Sequence, residues 1–312
     1  MMLGRVVPAQ ARCDAATSDA TSSDFNSSDE ASDATGSFVQ APQAVGTKRK
    51  TSYNMQKDDK PPVGTYIHLP LDPVDRQRIL SALKPYEIED AAAYMLARCQ
   101  HAALWKPTRQ TEVSTTAAGD HIALLWEIVH IHEGSPTVER VFDEMMAFAR
   151  IREMALADRV GQIDIRESDV DMDPTDVGQW RLLSTHRTGL LVESNAVPYA
   201  QYFPHGSAQY GKPYAIFMID GIDRDDAHPP NVQERVQQDG VSVWLMLETP
   251  PGDSPASPSI AVIKYAFVRA RKSPLATSDQ LAEIAEDGLR SCSSVMLKVV
   301  RERLASDGAE IQ

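Results

Sequence analysis

Between Tyr214 and Lys272 the chain carries three short runs, YAIFMIDGI, VSVWLML and IAVIKYAFVRARK, each rich in Val, Ile, Tyr, Phe or Trp and each bounded by Gly, Pro, Asp or Ser. β-Branched and aromatic side chains suit a pleated, half-buried surface, so the three runs predict consecutive strands of an antiparallel sheet. Whatever else the chain forms has to cover that sheet. The flanking segments have helical spacing, and helices, then a strand meander, then a final helix is the order of an α+β fold. The expectation is an antiparallel sheet of about four strands, covered by N-terminal helices and one C-terminal helix.

The cover can be read in order. Asp72 followed by Pro73 is a helix start. The helix carries Ile79, Leu80 and Leu83 to Pro85, and a second helix runs from about Glu87 with Ile88, Ala91, Ala92, Met95, Leu96 and Cys99 at three- and four-residue spacing. The run HIALLWEIVHIHEG from His121 is apolar in nearly every helical direction, which predicts a third helix at the centre of the layer, a strand being the competing reading. A fourth helix is expected from Thr137 to Gly161, and an acidic connection follows at Glu167 to Gly178, long enough to act as a lid. Short strands are expected at Thr65–Leu69 and Thr188–Glu193, and a last helix from Ser278 to about residue 305.

Residues 1–62 read differently. Thr17 to Ser37 is almost wholly Ser, Thr, Asp, Ala and Gly with no Lys or Arg, too polar to offset the entropy of ordering, so a disordered acidic tail precedes a single domain over 63–306. Within that domain the helical part is expected over 72–160 and the sheet over 180–271. In the tail, Ser27 and Ser28 stand before acidic residues, a context for phosphorylation. Lys48, Arg49 and Lys50 form a basic cluster resembling a nuclear-import signal, with Thr51 and Ser52 as adjoining phosphorylation candidates. Ser254, Ser257 and Ser273, each before Pro, are further candidates in exposed segments.

Composition excludes several classes. The chain has 312 residues, is 42% hydrophobic and lacks any apolar run of membrane-spanning length. Its start has no continuous signal-peptide core. Three widely spaced cysteines, Cys13, Cys99 and Cys292, predict free thiols in a reducing compartment, nuclear or cytoplasmic. A net charge of −13 disfavours nucleic acid.

The densest ionisable cluster is Asp220 to His228, with Asp223, Asp225, Asp226 and His228 as candidate catalytic groups and His205, in the loop FPHGSAQYGKPY, as a possible companion. Its spacing is not that of an EF-hand, and no metal or cofactor is expected. Glu127 and His130 make one Glu-x-x-His pair, His121 lies close in sequence, and a di-iron site needs a second pair that the chain lacks. No glycine-rich phosphate loop or nucleophile elbow is present. Without a catalytic signature, the reading is a regulatory or adaptor protein that binds a protein partner and carries a modifiable tail. The alternative is an enzyme, or a small-ligand or metal-binding protein, with its pocket between sheet and helices near residues 223–228. A viral or packaging role on nucleic acid is a third reading, which the acidic balance disfavours.

Overall fold

The computed structural model describes residues 61–134, 136–167, 177–249 and 259–309. The tail, with Ser27, Ser28, Lys48, Arg49, Lys50, Thr51 and Ser52, lies outside the described residues, as do Ser254, Ser257 and most of the Glu167–Gly178 connection. After β1 (His68–Leu69) come a long helix α1 (Pro73–Cys99), strands β2 (Thr108–Thr115) and β3 (His121–Ile131), and helices α2 (Val138–Arg150) and α3 (Arg152–Val160). Strands β4 (Asp164–Glu167), β5 (Trp180–Thr185), β6 (Leu191–Phe203), β7 (Tyr214–Gly221), β8 (Arg224–Asp225), β9 (Val236–Glu248) and β10 (Ile260–Ala270) follow, and α4 (Ser278–Ala309) ends the order.

The class is α+β, but the sheet is not the four-stranded one expected: eight strands lie in the order β2-β3-β10-β9-β7-β6-β5-β4, with β1 and β8 forming a separate parallel pair. The central trio β7, β9 and β10 holds the three runs that predict a sheet, each antiparallel to its neighbour. Three of the added strands explain the shortfall. β2 is polar and mostly exposed, β4 has four residues, and β3 is the segment expected to be the third helix.

The error at β3 has a physical cause. Ile122, Leu124, Trp126 and Ile128 face α1, while Ala123 and Leu125 face α4, so the strand is apolar on both sides and loses the alternation that marks a half-buried strand. Each such Leu or Ile contributes about 1.5–3 kcal/mol on burial. Helices therefore cover both faces of the sheet rather than one: α1 through Leu80, Ile88, Ala91, Met95 and Leu96, and on the opposite face α2 through Val141, Met145 and Phe148 with α4 through Leu289, Met296, Val300 and Leu304.

The two expected N-terminal helices are one. Pro85 interrupts the backbone ladder, yet Leu80 before it and Ile88 after it pack on the same sheet face, and that burial carries the helix through. Asp72 caps its start by accepting the Asp75 amide at 2.9 Å. The expected fourth helix breaks at Ile151 into α2 and α3, and Gly161, left-handed at φ 68°, ends the second piece. A long antiparallel sheet closing on its C-terminal helix gives the molecule a helix-grip-like arrangement.

Candidate functional site

Three of the polar groupings among the described residues bear on function, and they differ in what their charges already touch. The first is the acidic loop. Asp225 lies buried where β8 meets the start of α1, and its carboxylate accepts from Arg76 at 2.7 Å, from Asn195 Nδ2 at 2.9 Å, from Gln179, and from the Ala227 and His228 amides at 3.1 Å. Burial alone would raise its carboxyl, but the Arg76, Asn195 and Gln179 hydrogen bonds hold it well below the ordinary carboxylate range. Asp223 accepts the Ile67 amide at 2.9 Å, and Asp226 accepts from His68 and Arg224 at 2.8 Å each. A cavity of about 150 Å³ adjoins the loop, lined by Asp223, Asp225 and His228 with Arg235, Arg271 and Ser273. The candidate carboxylates thus tie β1 and α1 to the sheet.

His205 is not brought to them. It is exposed in the β6–β7 hairpin loop, beyond the Phe203–Tyr214 pair, whereas the Asp223 loop begins where the Ile222 amide donates to Asn195 at the other end of β6. Eight residue steps separate Asn195 from Phe203, roughly 26 Å of strand. Glu127 and His130 point to opposite faces of β3, His130 meeting the Leu104 carbonyl at 2.6 Å and Glu127 meeting Arg109 at 3.3 Å. His121 meets Ser278 Oγ at 2.9 Å. Among the described residues no group of three or more His, Cys, Asp or Glu is arranged to hold a metal ion.

The second grouping lies between α1 and the sheet. Asp220 on β7 is buried and pushed up to about 8 by desolvation and by Glu87 nearby, while the Thr65 amide donates to it at 3.2 Å. Glu87 of α1 is pushed up to about 7, chiefly by burial and then by Asp90. Neither Glu87 Oε2 nor the Tyr199 hydroxyl has a hydrogen-bond partner among the described residues. Gly64, left-handed at φ 92°, approaches so closely that a Cβ there would lie 2.8 Å from Asp220 Oδ1. Burial under the helix thus biases both acids toward the protonated form, and the N-terminal segment packs closely against Asp220.

The third grouping crosses the other face. Strand register places Arg109, Glu127, Lys264, Trp244 and Phe217 side by side on β2, β3, β10, β9 and β7, and cross-strand partners share a face. Lys264 is 4% exposed. Its Nζ donates to the Leu289 carbonyl of α4 at 2.9 Å, contacts Ser293 Oγ, and stands 5.1 Å from the centroid of the Trp244 ring. Among the described residues it has no ion pair. Desolvation brings its amine down to about 8, against the opposing pull of Cys292 and Glu127.

Beside this row a cleft of about 470 Å³ opens between α4 and β2–β3, lined by Arg109, Glu127, Leu289, Arg290, Ser293, Ser294, Leu297, Lys298, Arg301 and Glu302. Four cations face two carboxylates in this lining, in a chain of charge −13; three of the four are paired, Arg109 with Glu127 at 3.3 Å, Arg290 with Glu286 at 2.8 Å and Arg301 with Glu133 at 3.7 Å. Lys298 is exposed and acts through its charge on the Glu302 carboxylate, and Leu289 and Leu297 supply apolar wall. The sequence hides this site: Lys264 is a single cation within an apolar strand, Arg109 lies on a polar edge, and the helix that joins them begins at Ser278.

No protein-family model matches the sequence, and no curated protein matches it. Solved structures overlap it partially. The human StarD13 (DLC2) lipid transfer and protein localization domain aligns with TM-score 0.36 at 8% identity, over 67% of this chain and 95% of that one. A conserved protein from Geobacillus kaustophilus aligns with TM-score 0.32 at 11% identity, over 59% and 95%. The di-domain ARO/CYC BexL from the BE-7585A biosynthetic pathway aligns with TM-score 0.32 at 12% identity, over 74% of this chain and 61% of that one. Likenesses this distant assign no activity to the chain.

Proposed function

We propose that the domain binds a small organic anion with a short apolar body, held in the cleft between α4 and the β2–β3 edge. The observation that carries this reading is the contrast in charge satisfaction. Around the acidic loop each candidate carboxylate is engaged by protein donors, whereas in the α4 cleft Arg109, Arg290 and Arg301 are paired with Glu127, Glu286 and Glu133, but exposed Lys298 stands only in the field of Glu302, and the buried Lys264 amine beneath the floor has no carboxylate partner among the described residues. Its volume is in the range of small-molecule sites, and an apolar wall with a few polar groups is the usual composition of such pockets. An incoming anion gains attraction from Lys298 and Lys264 at little cost in broken pairs.

Titration of the full chain with decanoate, decanol and decyltrimethylammonium tests the charge and the apolar body separately. Decanoate is expected to bind at least tenfold more tightly than decanol, with no binding of the cationic homologue. Lys298→Glu should weaken decanoate by a similar factor. Equal affinity for all three, or none for decanoate, contradicts the reading.

A further inference from the structure

Lys264 and Ser293 form an arrangement that anion binding alone does not require. The amine and hydroxyl are both buried, Lys264 at 4% and Ser293 at 5% exposure, and are in hydrogen-bond contact. Ser293 lines the cleft, while Lys264 lies behind it. A second acceptor, the Leu289 carbonyl one helical turn earlier, fixes the orientation of the amine. Trp244 closes the far side. We propose that Ser293 is an acyl-accepting nucleophile and Lys264 its general base, acting on an ester or thioester whose anionic end is held by the cleft cations; this rests on the anion-binding reading above.

The step balances without any further reactant. Neutral Lys264 accepts the hydroxyl proton as Ser293 Oγ bonds to the acyl carbon, the bond to the alcohol or thiol leaving group breaks, and Lys264 returns the proton to that group. The product is an acylated Ser293, which water hydrolyses by the same relay to the free acid. A base has to be deprotonated to act. The groups facing Lys264 are Glu127 on β3, Arg109 on β2, Trp244 on β9, and Cys292, Ser293 and the Leu289 carbonyl on α4. Desolvation outweighs the carboxylate and thiol among them, bringing the amine to about 8, within reach of mild alkaline conditions.

The test is covalent labelling of the full chain with an alkyl fluorophosphonate, with the adduct mapped by peptide mass. The expected result is a single adduct on Ser293, its rate rising about tenfold per pH unit below pH 8 and levelling above it. Ser293→Ala should abolish it. Lys264→Met, an apolar replacement of similar length, should slow labelling by about 100-fold or more while leaving the thermal melt cooperative. No adduct on Ser293, an adduct on Cys292 in its place, or equal labelling in folded Lys264→Met overturns the proposal. Binding of decanoate without an adduct removes the nucleophile and leaves the anion site; an adduct without decanoate binding does the reverse.

Discussion

Arg76 in α1 and Asp225 in β8 stand 149 positions apart in the chain and 2.7 Å apart in the fold, with side chains 7% and 3% exposed. Removing one partner of such a pair leaves an uncompensated buried charge, so Arg76→Met should lower unfolding free energy by about 3–5 kcal/mol in urea titration. Replacing both, Arg76→Met with Asp225→Leu, should recover most of that; a single variant within about 1 kcal/mol of the parent contradicts the assignment. A second consequence concerns pH. Asp220 and Glu87 are raised in the folded state, so the folded chain holds protons that the unfolded chain releases, and stability falls as pH rises from about 5 to about 8. Lys264, whose amine is lowered, acts in the opposite direction only above about 8. Melting temperatures from pH 5 to 8 should therefore decline in the parent and decline less in Asp220→Asn, which should be the more stable of the two at pH 8. Parallel curves contradict this. The acidic loop was legible as a cluster because its residues are neighbours in sequence. Arg76, Gln179 and Asn195, which decide what the loop does, carry no local signal.

Gly240 marks where β9 changes partner, pairing β6 in parallel at Val236–Gln238 and β7 antiparallel from Val241 onward. Its φ is 145°, and a Cβ would lie 2.0 Å from the Phe267 carbonyl oxygen of β10. Gly240→Ala should therefore destabilise by more than the roughly 1 kcal/mol of an ordinary strand substitution, and a urea midpoint unchanged from the parent contradicts the geometry. At this scale the sequence was informative where one rule governs. The central trio β7, β9 and β10 has turn residues at each end and β-favouring residues between, and α4 has its start signal at Ser278. It misled where tertiary packing overrides the local rule: two-sided burial makes β3 resemble a buried helix, and burial on both sides of Pro85 keeps α1 continuous. The polar strand β2 gives almost no strand signal, yet it forms the edge that bounds the cleft.

Charge at the level of the whole molecule is uneven. A chain of −13 presents a cation-lined cleft between its C-terminal helix and one sheet edge, and such local reversal raises the concentration of anions there relative to the rest of the surface. No described helix is long and apolar enough to cross a membrane. The cleft was not legible in sequence because it needs three elements distant in the chain: Arg109 from β2, Glu127 from β3, and residues 289–302 from α4. Amide hydrogen exchange with and without saturating decanoate locates the occupied site directly. Slowed exchange confined to residues 108–115 and 289–302 is the predicted result, and protection appearing instead at residues 223–239, or nowhere, would contradict it.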